Sequence, residues 1–556
     1  MYRCGREMGY LHKNGFWMNY NLAKRVLRIF LILLLGFFST MATKMHFRGA
    51  VWDGLGSNYM DEFQWTDILI FVAMFGLWYG VYWLVKRYYR NIQKLVVGKK
   101  EYKMKSWQIW LIVLGVLVVA WLPYLLSFAP GSVLGDSLSS VEQIFSGEYS
   151  NHHPVAYTLL VGVFVKIGVA MGNINIGVFL YTCFQYLLLA ATLAYVVMFL
   201  AQHKVRPVLL VIAAVFFAIC PIFPSYAIIM WKDPIFSIAL LFLGIILYEY
   251  AKTDFEGLKW YHYALLIFCT LLVAFFRNNG IFILVLVVPM LLILYRKKVW
   301  KVALALVLTI GVSLTIQGPM YSMLKIHKPS VEAFAIPLQQ MAYTISENEE
   351  SLSEDDRRFL SEIMPLEVWK KAYTPVLVDT IKWDESFDTI FFESHLVDFM
   401  KIWVKNLPGN FGRYVKAYLL ETLGFWHPIY QNEYGYIDQY VMENESGIHE
   451  TDLIEKVTGG SIKKGLEAFR PMLSTGLMVI VMLFSAVICL EFQKKRISLL
   501  YLTSVFCWVI IMVSTPVAFS LRYMFVLTLA LPIFMVCPFF RLEKTKKTGK
   551  GDIIKE

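Results

Sequence analysis

The segment "GDSLSSVEQIFSGEYSNHHP", Gly135 to Pro154, sets an Asp, two Glu and two adjacent His between long apolar runs. A carboxylate ionised at neutral pH can take the proton of a hydroxyl as that oxygen turns acidic in a transition state. Asp136 is therefore a candidate base, with Glu142 its nearest substitute. Four more polar clusters stand beside apolar runs: Lys232 and Asp233 in "WKDP", Arg277, Asn278 and Asn279 in "FRNNG", Gln339 and Gln340 in "IPLQQMA", and Arg522 and Tyr523 in "SLRY". A guanidinium offers a planar fork that fits phosphate oxygens, whereas an ammonium is a compact charge. Arg522, Arg277 and Lys232 read as anion holders, and the amides of Asn278 and Asn279 suit ligand hydroxyls.

Each cluster also has a plainer structural reading. From Asp136, the residues Leu138, Val141 and Phe145 recur at helical spacing, Ser139 to Glu142 fits a capping box, and Gly147 is a good stop. That predicts a short amphipathic helix on a membrane surface, with Asp136, Ser140 and Gln143 on its polar face and Asp136 as its cap. His152 and His153 would then sit among lipid headgroups, and Arg522 would snorkel to them. Lys232 and Asp233 would form a local ion pair. Asn278 and Asn279 would cap the next helix. Two adjacent imidazoles point to different sides, so a divalent cation would need one of them with Asp136 and Glu142. Hydrogen bonding from His152 and His153 to a ligand is the preferred reading over a metal, and no other cofactor is expected.

The elements that must position these groups are membrane helices. Hydrophobic residues make up 58% of the chain and charged residues only 17%, outside the range of soluble globular domains. Apolar runs able to cross about 30 Å of hydrocarbon occur near 26–43, 67–85, 107–127, 176–200, 207–225, 234–250, 262–276, 280–295, 300–317, 471–491, 497–516 and 523–540. About twelve spans are expected. Lys and Arg cluster at 24–28, 86–105, 204–206, 296–301, 494–496 and in the tail "RLEKTKKTGK". All fall on one face if "HPVAYTLLVGVFVKIGVAMG" is an interfacial helix, which puts both termini in the cytoplasm by the positive-inside rule. The net charge of +11 is then topology and anionic-lipid contact, with no need for nucleic acid.

The same topology exports every polar cluster named above, so four separate span ends converge on one face. The expected organisation is an N-terminal membrane module, 1–317, with a catalytic outer loop at 128–175. A helical extracytoplasmic segment follows at 318–470, then C-terminal spans at 471–540 and a basic tail at 541–556. Within the exported segment, "ENEESLSEDDRR" reads as a solvated stretch, while "LEVWKKAY" and "FMKIWVKNLPGNFGRYVKAYLLETLGFWHP" read as amphipathic helices. Gln339 and Gln340 are expected to line the groove near the membrane. Of seven cysteines, none lies in the exported segment to frame disulfides. No CxxC, HExxH, phosphate-binding loop or GxGxxG marks a soluble cofactor site.

The ordering "PGSVLGDSLSSVEQ", "HHPVAYTLL", "WKDPIFS", "FRNNG", "IPLQQMA" and "LRY" resembles the GT-C superfamily of integral membrane glycosyltransferases, which includes protein O-mannosyltransferases and lipid A aminoarabinose transferases. It is most similar to a bacterial branch of those enzymes, from about residue 107 onward. Asp136 stands alone where several relatives carry a second adjacent carboxylate. The resemblance implies an all-α GT-C-like bundle in the plasma membrane. It also implies transfer of a sugar from a polyprenyl-phosphate donor to an extracytoplasmic envelope acceptor (glycan, lipid or protein), with inversion if displacement is direct. Asp136 would be the base, and the cations would hold the departing lipid phosphate. Two other classes share this outline: a twelve-span secondary transporter, and a lipid-linked glycan polymerase or ligase. Against the transporter, the charges lie at span ends, and a long segment interrupts the spans.

Overall fold

A chain this apolar must satisfy its backbone polar groups within each segment wherever lipid surrounds it, which leaves helices as the economical solution. The computed structural model describes residues 20–47, 63–99, 101–326, 330–428, 439–468, 473–492, 494–514, 517–518 and 520–541. Cys4 and nearly all of the basic tail lie outside the described residues. Among the described residues there is no strand, only isolated bridges, so the protein is all-α.

The helices relevant to the site run in chain order as α1 (Tyr20–Phe47), α2 (Thr66–Val96), α3 (Ser106–Ser127), α4 (Gly135–Ser146), α5 (Val155–Ala170), α6 (Ile174–Gln202), α7 (Pro207–Ile219), α8 (Ile222–Ile228) and α9 (Asp233–Ala251). They continue as α10 (Trp260–Phe276), α11 (Gly280–Tyr295), α12 (Trp300–Thr315), α13 (Ala335–Asn348), α14 (Glu354–Ile363), α15 (Leu396–Glu421), α16 (Thr475–Glu491), α17 (Ser498–Ser514) and α18 (Phe525–Val536).

Among the described residues, seven helical stretches are long and apolar enough to cross a bilayer: Leu22–Phe47, Thr66–Val96, Ser106–Ser127, Ile174–Gln202, Asp233–Ala251, Gly280–Met323 and Leu521–Phe539. The pair α7 and α8, bent by 53°, would make an eighth. Each of the twelve apolar runs is largely helical over its described residues, but α10, α16 and α17 are shorter than that length, and two runs merge in Gly280–Met323. That stretch is not straight. Arg296 takes φ 53° between α11 and α12, and the two helices pack on each other. α5, the expected interfacial helix, has 16 residues and lies against α4 and α6.

Among the described residues two hydrophobic cores result. The larger joins the bundle helices through residues such as Trp121, Leu193, Phe223, Leu240 and Phe525. The second belongs to a helical cap and draws on Val331, Leu338, Met341, Leu360, Trp369, Phe392, Phe399 and Tyr414. From Leu419 through Trp426 the chain returns to the bundle core. Within the cap, "LEVWKKAY" forms the helix Leu366–Ala372, and Ser353 caps α14 by accepting from the Asp356 N–H. α15 bends at Asn410, two residues after Pro408. Eleven residues of straight helix span about 16 Å, yet the Tyr414 hydroxyl donates to the Trp403 carbonyl at 3.0 Å and the two rings stack at 5.8 Å.

Candidate functional site

The loop carrying Asp136 is pinned on both sides by backbone hydrogen bonds. Ser132 N–H donates to the Ile228 carbonyl and Met230 N–H to the Ser132 carbonyl, each at 2.9 Å. On the other side, Val133 N–H donates to the Tyr440 carbonyl at 3.1 Å and Met442 N–H to the Val133 carbonyl at 2.9 Å. Threading the chain here requires Gly131. Its φ is +122°, and a Cβ would stand 2.3 Å from Thr182 Oγ1 and 2.7 Å from the Ile228 carbonyl. α4 then begins at Gly135, buries Leu138, Val141 and Ile144, and stops at Gly147 in the left-handed region, as its sequence predicts. Phe145 faces outward instead. The expected capping box and Asp136 cap are absent: Leu134 is the N-cap, with no side-chain cap bond. Asp136 sits in the first turn, where the helix dipole favours a carboxylate, and its side chain is used elsewhere.

That carboxylate is the centre of a charge cluster. Asp136 Oδ2 accepts from Arg522 Nη1 at 3.0 Å and lies 3.4 Å from Lys232 Nζ. Lys232 also donates to His153 Nδ1 at 2.9 Å, and His153 Nδ1 stands 3.9 Å from the same carboxylate oxygen. Burial raises the Asp136 pKa, but Arg522, Lys232 and His153 outweigh it and hold the group far below the usual carboxylate range. Burial pushes His153 down to about 3, reinforced by Lys232. Burial also lowers Lys232 against the opposing pull of Asp136 and Asp233. Arg522 stacks over Trp231 at 4.7 Å.

The expected Lys232–Asp233 pair does not form. Asp233 faces Arg277 at 3.2 Å, both well buried, and Lys232 turns to Asp136. The difference follows from helix geometry, since adjacent residues at the start of α9 point in different directions. Arg277 lies over the Tyr523 ring at 4.4 Å. Gly280 lets α10 and α11 approach so closely: a Cβ there would meet the Val273 carbonyl at 1.9 Å. Neither asparagine caps α11 by its side chain. Asn278 Nδ2 donates to the Asn151 carbonyl at 2.8 Å and Asn279 Nδ2 to Ser514 Oγ at 3.0 Å.

These groups enclose a cavity of about 530 Å³, lined by Asp136, His152, His153, Lys232, Arg277, Asn278, Asn279, Arg522 and Tyr523. Asp233 lies behind Arg277. Four predicted residues are elsewhere. Glu142 is on the exposed face of α4 and does not line the cavity. Gln143 braces the loop, its Oε1 accepting from Ser150 N–H at 2.9 Å. Gln339 and Gln340 are buried inside the cap, donating to the carbonyls of Thr374 and Tyr414, because their face of α13 packs on α15 and its neighbours. The divalent-cation set of Asp136, Glu142 and one histidine is not assembled. Among the described residues no group of three or more His, Cys, Asp or Glu is placed to hold a metal.

The cap supplies cavity residues that the sequence reading missed, Glu332, Asp379, Lys382 and Trp383. Lys382 is buried between Glu332 at 2.6 Å and Asp379 at 2.9 Å. Burial lowers its pKa, but the two carboxylates more than compensate and raise it. The one sequence signal was Asp379 three residues before Lys382 on a helical turn, a pattern shared by many exposed pairs.

Residues 145–552 match a family of unknown function (DUF6020), which covers most of the chain, and the chain belongs to that family. No curated protein and no solved structure matches it.

Proposed function

We propose that this member of a family of unknown function is an integral membrane glycosyltransferase, moving a sugar from a polyprenyl-phosphate donor to an acceptor outside the cytoplasm. The observation that carries the reading is Asp136 bridged to Arg522 and Lys232 inside a cavity built from the ends of several apolar helices. In the proposed topology α10, α16, α17, the bent α7–α8 pair and both halves of Gly280–Met323 cross the membrane. That gives twelve spans, a GT-C-like bundle, cytoplasmic termini and a cap on the outer face of a bacterial plasma membrane.

The charge cluster suggests how such a reaction would be ordered. Without an anion, Asp136 is neutralised by its cations and is a poor base. A lipid phosphate competes for Arg522 and Lys232 and frees the carboxylate, whose basicity then rises. The acceptor oxygen attacks the anomeric carbon while the bond from that carbon to the phosphate oxygen breaks. The electron pair leaves with polyprenyl phosphate, the acceptor proton goes to Asp136, and the anomeric centre inverts. The new charge on the leaving phosphate is met by preorganised cations, the kind of term that dominates many rate enhancements.

The test is release of polyprenyl phosphate from a synthetic polyprenyl-phosphate hexose by purified protein in detergent, with envelope extract as acceptor. Release that requires Asp136 supports the transferase. Flux of the same lipid across sealed vesicles with no release would instead favour a transporter.

A further inference from the structure

The cavity has two chemically different walls. The bundle wall carries Asp136, Lys232, Arg277 and Arg522. On the cap wall, Lys382 is saturated by Glu332 and Asp379, leaving two carboxylates to one ammonium. Among the described residues such a wall has no spare cation for an anionic ligand, and its excess of carboxylate repels one.

What the cap wall does offer is an aromatic face and two polar atoms without hydrogen-bond partners. Trp383 is 55% exposed although it lines the cavity, and its ring meets the His152 ring edge-on at 5.4 Å and 90°. Glu332 Oε1 and His152 Nδ1 are 3.8 Å apart, beyond hydrogen-bond reach, and both atoms are buried with no hydrogen-bond partner. Buried polar atoms are normally paired. Both atoms are shielded as the side chains stand, so a ligand hydroxyl reaches them only when the pair parts; it would then donate to the carboxylate and accept from a neutral imidazole. Burial, the largest influence on His152, disfavours its charged form, which suits that role.

We propose that the cap wall is a subsite for the sugar ring of a neutral carbohydrate acceptor, with Trp383 as its stacking face and Glu332 and His152 as a hydroxyl clamp. A pyranose presents a flat C–H face beside a rim of hydroxyls, which matches an indole next to a carboxylate and an imidazole. The clamp lies beside the reaction centre: the His152 ring is 4.4 Å from that of His153, whose Nδ1 is 3.9 Å from Asp136. A ring held by the clamp brings a neighbouring hydroxyl toward Asp136. The subsite deepens the transferase reading by naming the acceptor class.

Saturation-transfer NMR on the full-length protein in detergent tests it, using methyl α-glucopyranoside, methyl α-galactopyranoside and methyl α-mannopyranoside as probes. Wild type should transfer saturation to the ring protons of at least one glycoside. Trp383→Ala should cut that signal at least about fivefold, Trp383→Phe should keep part of it, and Glu332→Gln should weaken it. All three variants should still bind decaprenyl phosphate. No transfer to any glycoside, or full transfer with folded Trp383→Ala, overturns the subsite. If Trp383→Ala does not fold, Trp383→Phe and Glu332→Gln decide by the same measure. Glycoside binding through Trp383 in a protein that never releases polyprenyl phosphate would retain the subsite and remove the transferase reading.

Discussion

At the scale of single residues, the cavity sorts similar side chains into different roles. If the proposed transfer is right, Asp136→Asn keeps the shape and removes the proton acceptor, so turnover should fall by about 10² or more with donor binding retained, while Glu142→Gln on the exposed face should leave turnover near normal. The assay is polyprenyl phosphate release, and loss confined to Glu142→Gln would move the base. The two arginines should separate as well. Arg277 and Asp233 are a buried pair, and removing one partner of such a pair costs about 3–5 kcal/mol, so Arg277→Gln should lower the unfolding temperature sharply. Arg522 reaches the cavity, so Arg522→Gln should chiefly weaken decaprenyl phosphate binding, with Arg522→Lys a partial rescue. His153 adds a pH dependence. Its pKa is about 3 in the fold and about 6.5 when unfolded. The unfolded chain therefore binds protons first, and this contribution to stability is full above about pH 6.5 and lost as pH falls toward 3. The unfolding temperature should drop between pH 7 and 5, less steeply in His153→Gln. His203 and His427, each pushed to about 4 by burial, add to the same trend. An equal slope in the variant would contradict a buried neutral His153.

At the scale of elements, what the sequence made legible was whatever helical period or span ends encode. α4, its glycine stop and the convergence of "WKDP", "FRNNG" and "LRY" on the Asp136 loop follow from local pattern and from charge at the ends of apolar runs. Partners chosen by tertiary packing were not legible. Asp233 prefers Arg277 over its neighbour Lys232, Gln339 and Gln340 serve the cap interior, and Lys382 enters from a segment with no span end to mark it. The span lengths were not legible for the same reason, since a bend at Arg296 and helices of 16 or 17 residues are set by neighbours as much as by hydropathy. One glycine tests the link from element to site. Gly131→Ala places a side chain at φ +122° against Thr182 and Ile228. It should destabilise by more than about 1 kcal/mol and, even where the protein folds, displace Asp136 enough to depress turnover more than donor binding. Thermal unfolding with the release assay reads both, and an unchanged Gly131→Ala protein would mean that the pinned loop does not position Asp136 for the proposed transfer.

At the scale of the molecule, every proposed role requires the cavity and cap to face away from the cytoplasm. Charge favours that orientation: the stretch from Lys86 to Lys105, the end of α2 and its connection to α3, is rich in Lys and Arg, and such segments resist translocation. The cap and the Asp136 loop should lie on the opposite face. Glu148 and Glu354 are exposed on the loop and the cap, and Lys103 is exposed in the basic connection, so cysteines at these positions report the faces with little structural cost. In intact cells an impermeant thiol reagent should label Glu148→Cys and Glu354→Cys at least about tenfold more than Lys103→Cys, and permeabilisation should remove the difference. Described native cysteines are buried or half-buried in or beside apolar helices and should give a low background. Labelling of Lys103→Cys from outside, with protection of the other two, would invert the protein. A cavity opening to the cytoplasm would then face soluble activated donors rather than a lipid-linked sugar outside, and the role of Arg522 and Lys232 as holders of a departing lipid phosphate would have to be abandoned even if Asp136 proved essential.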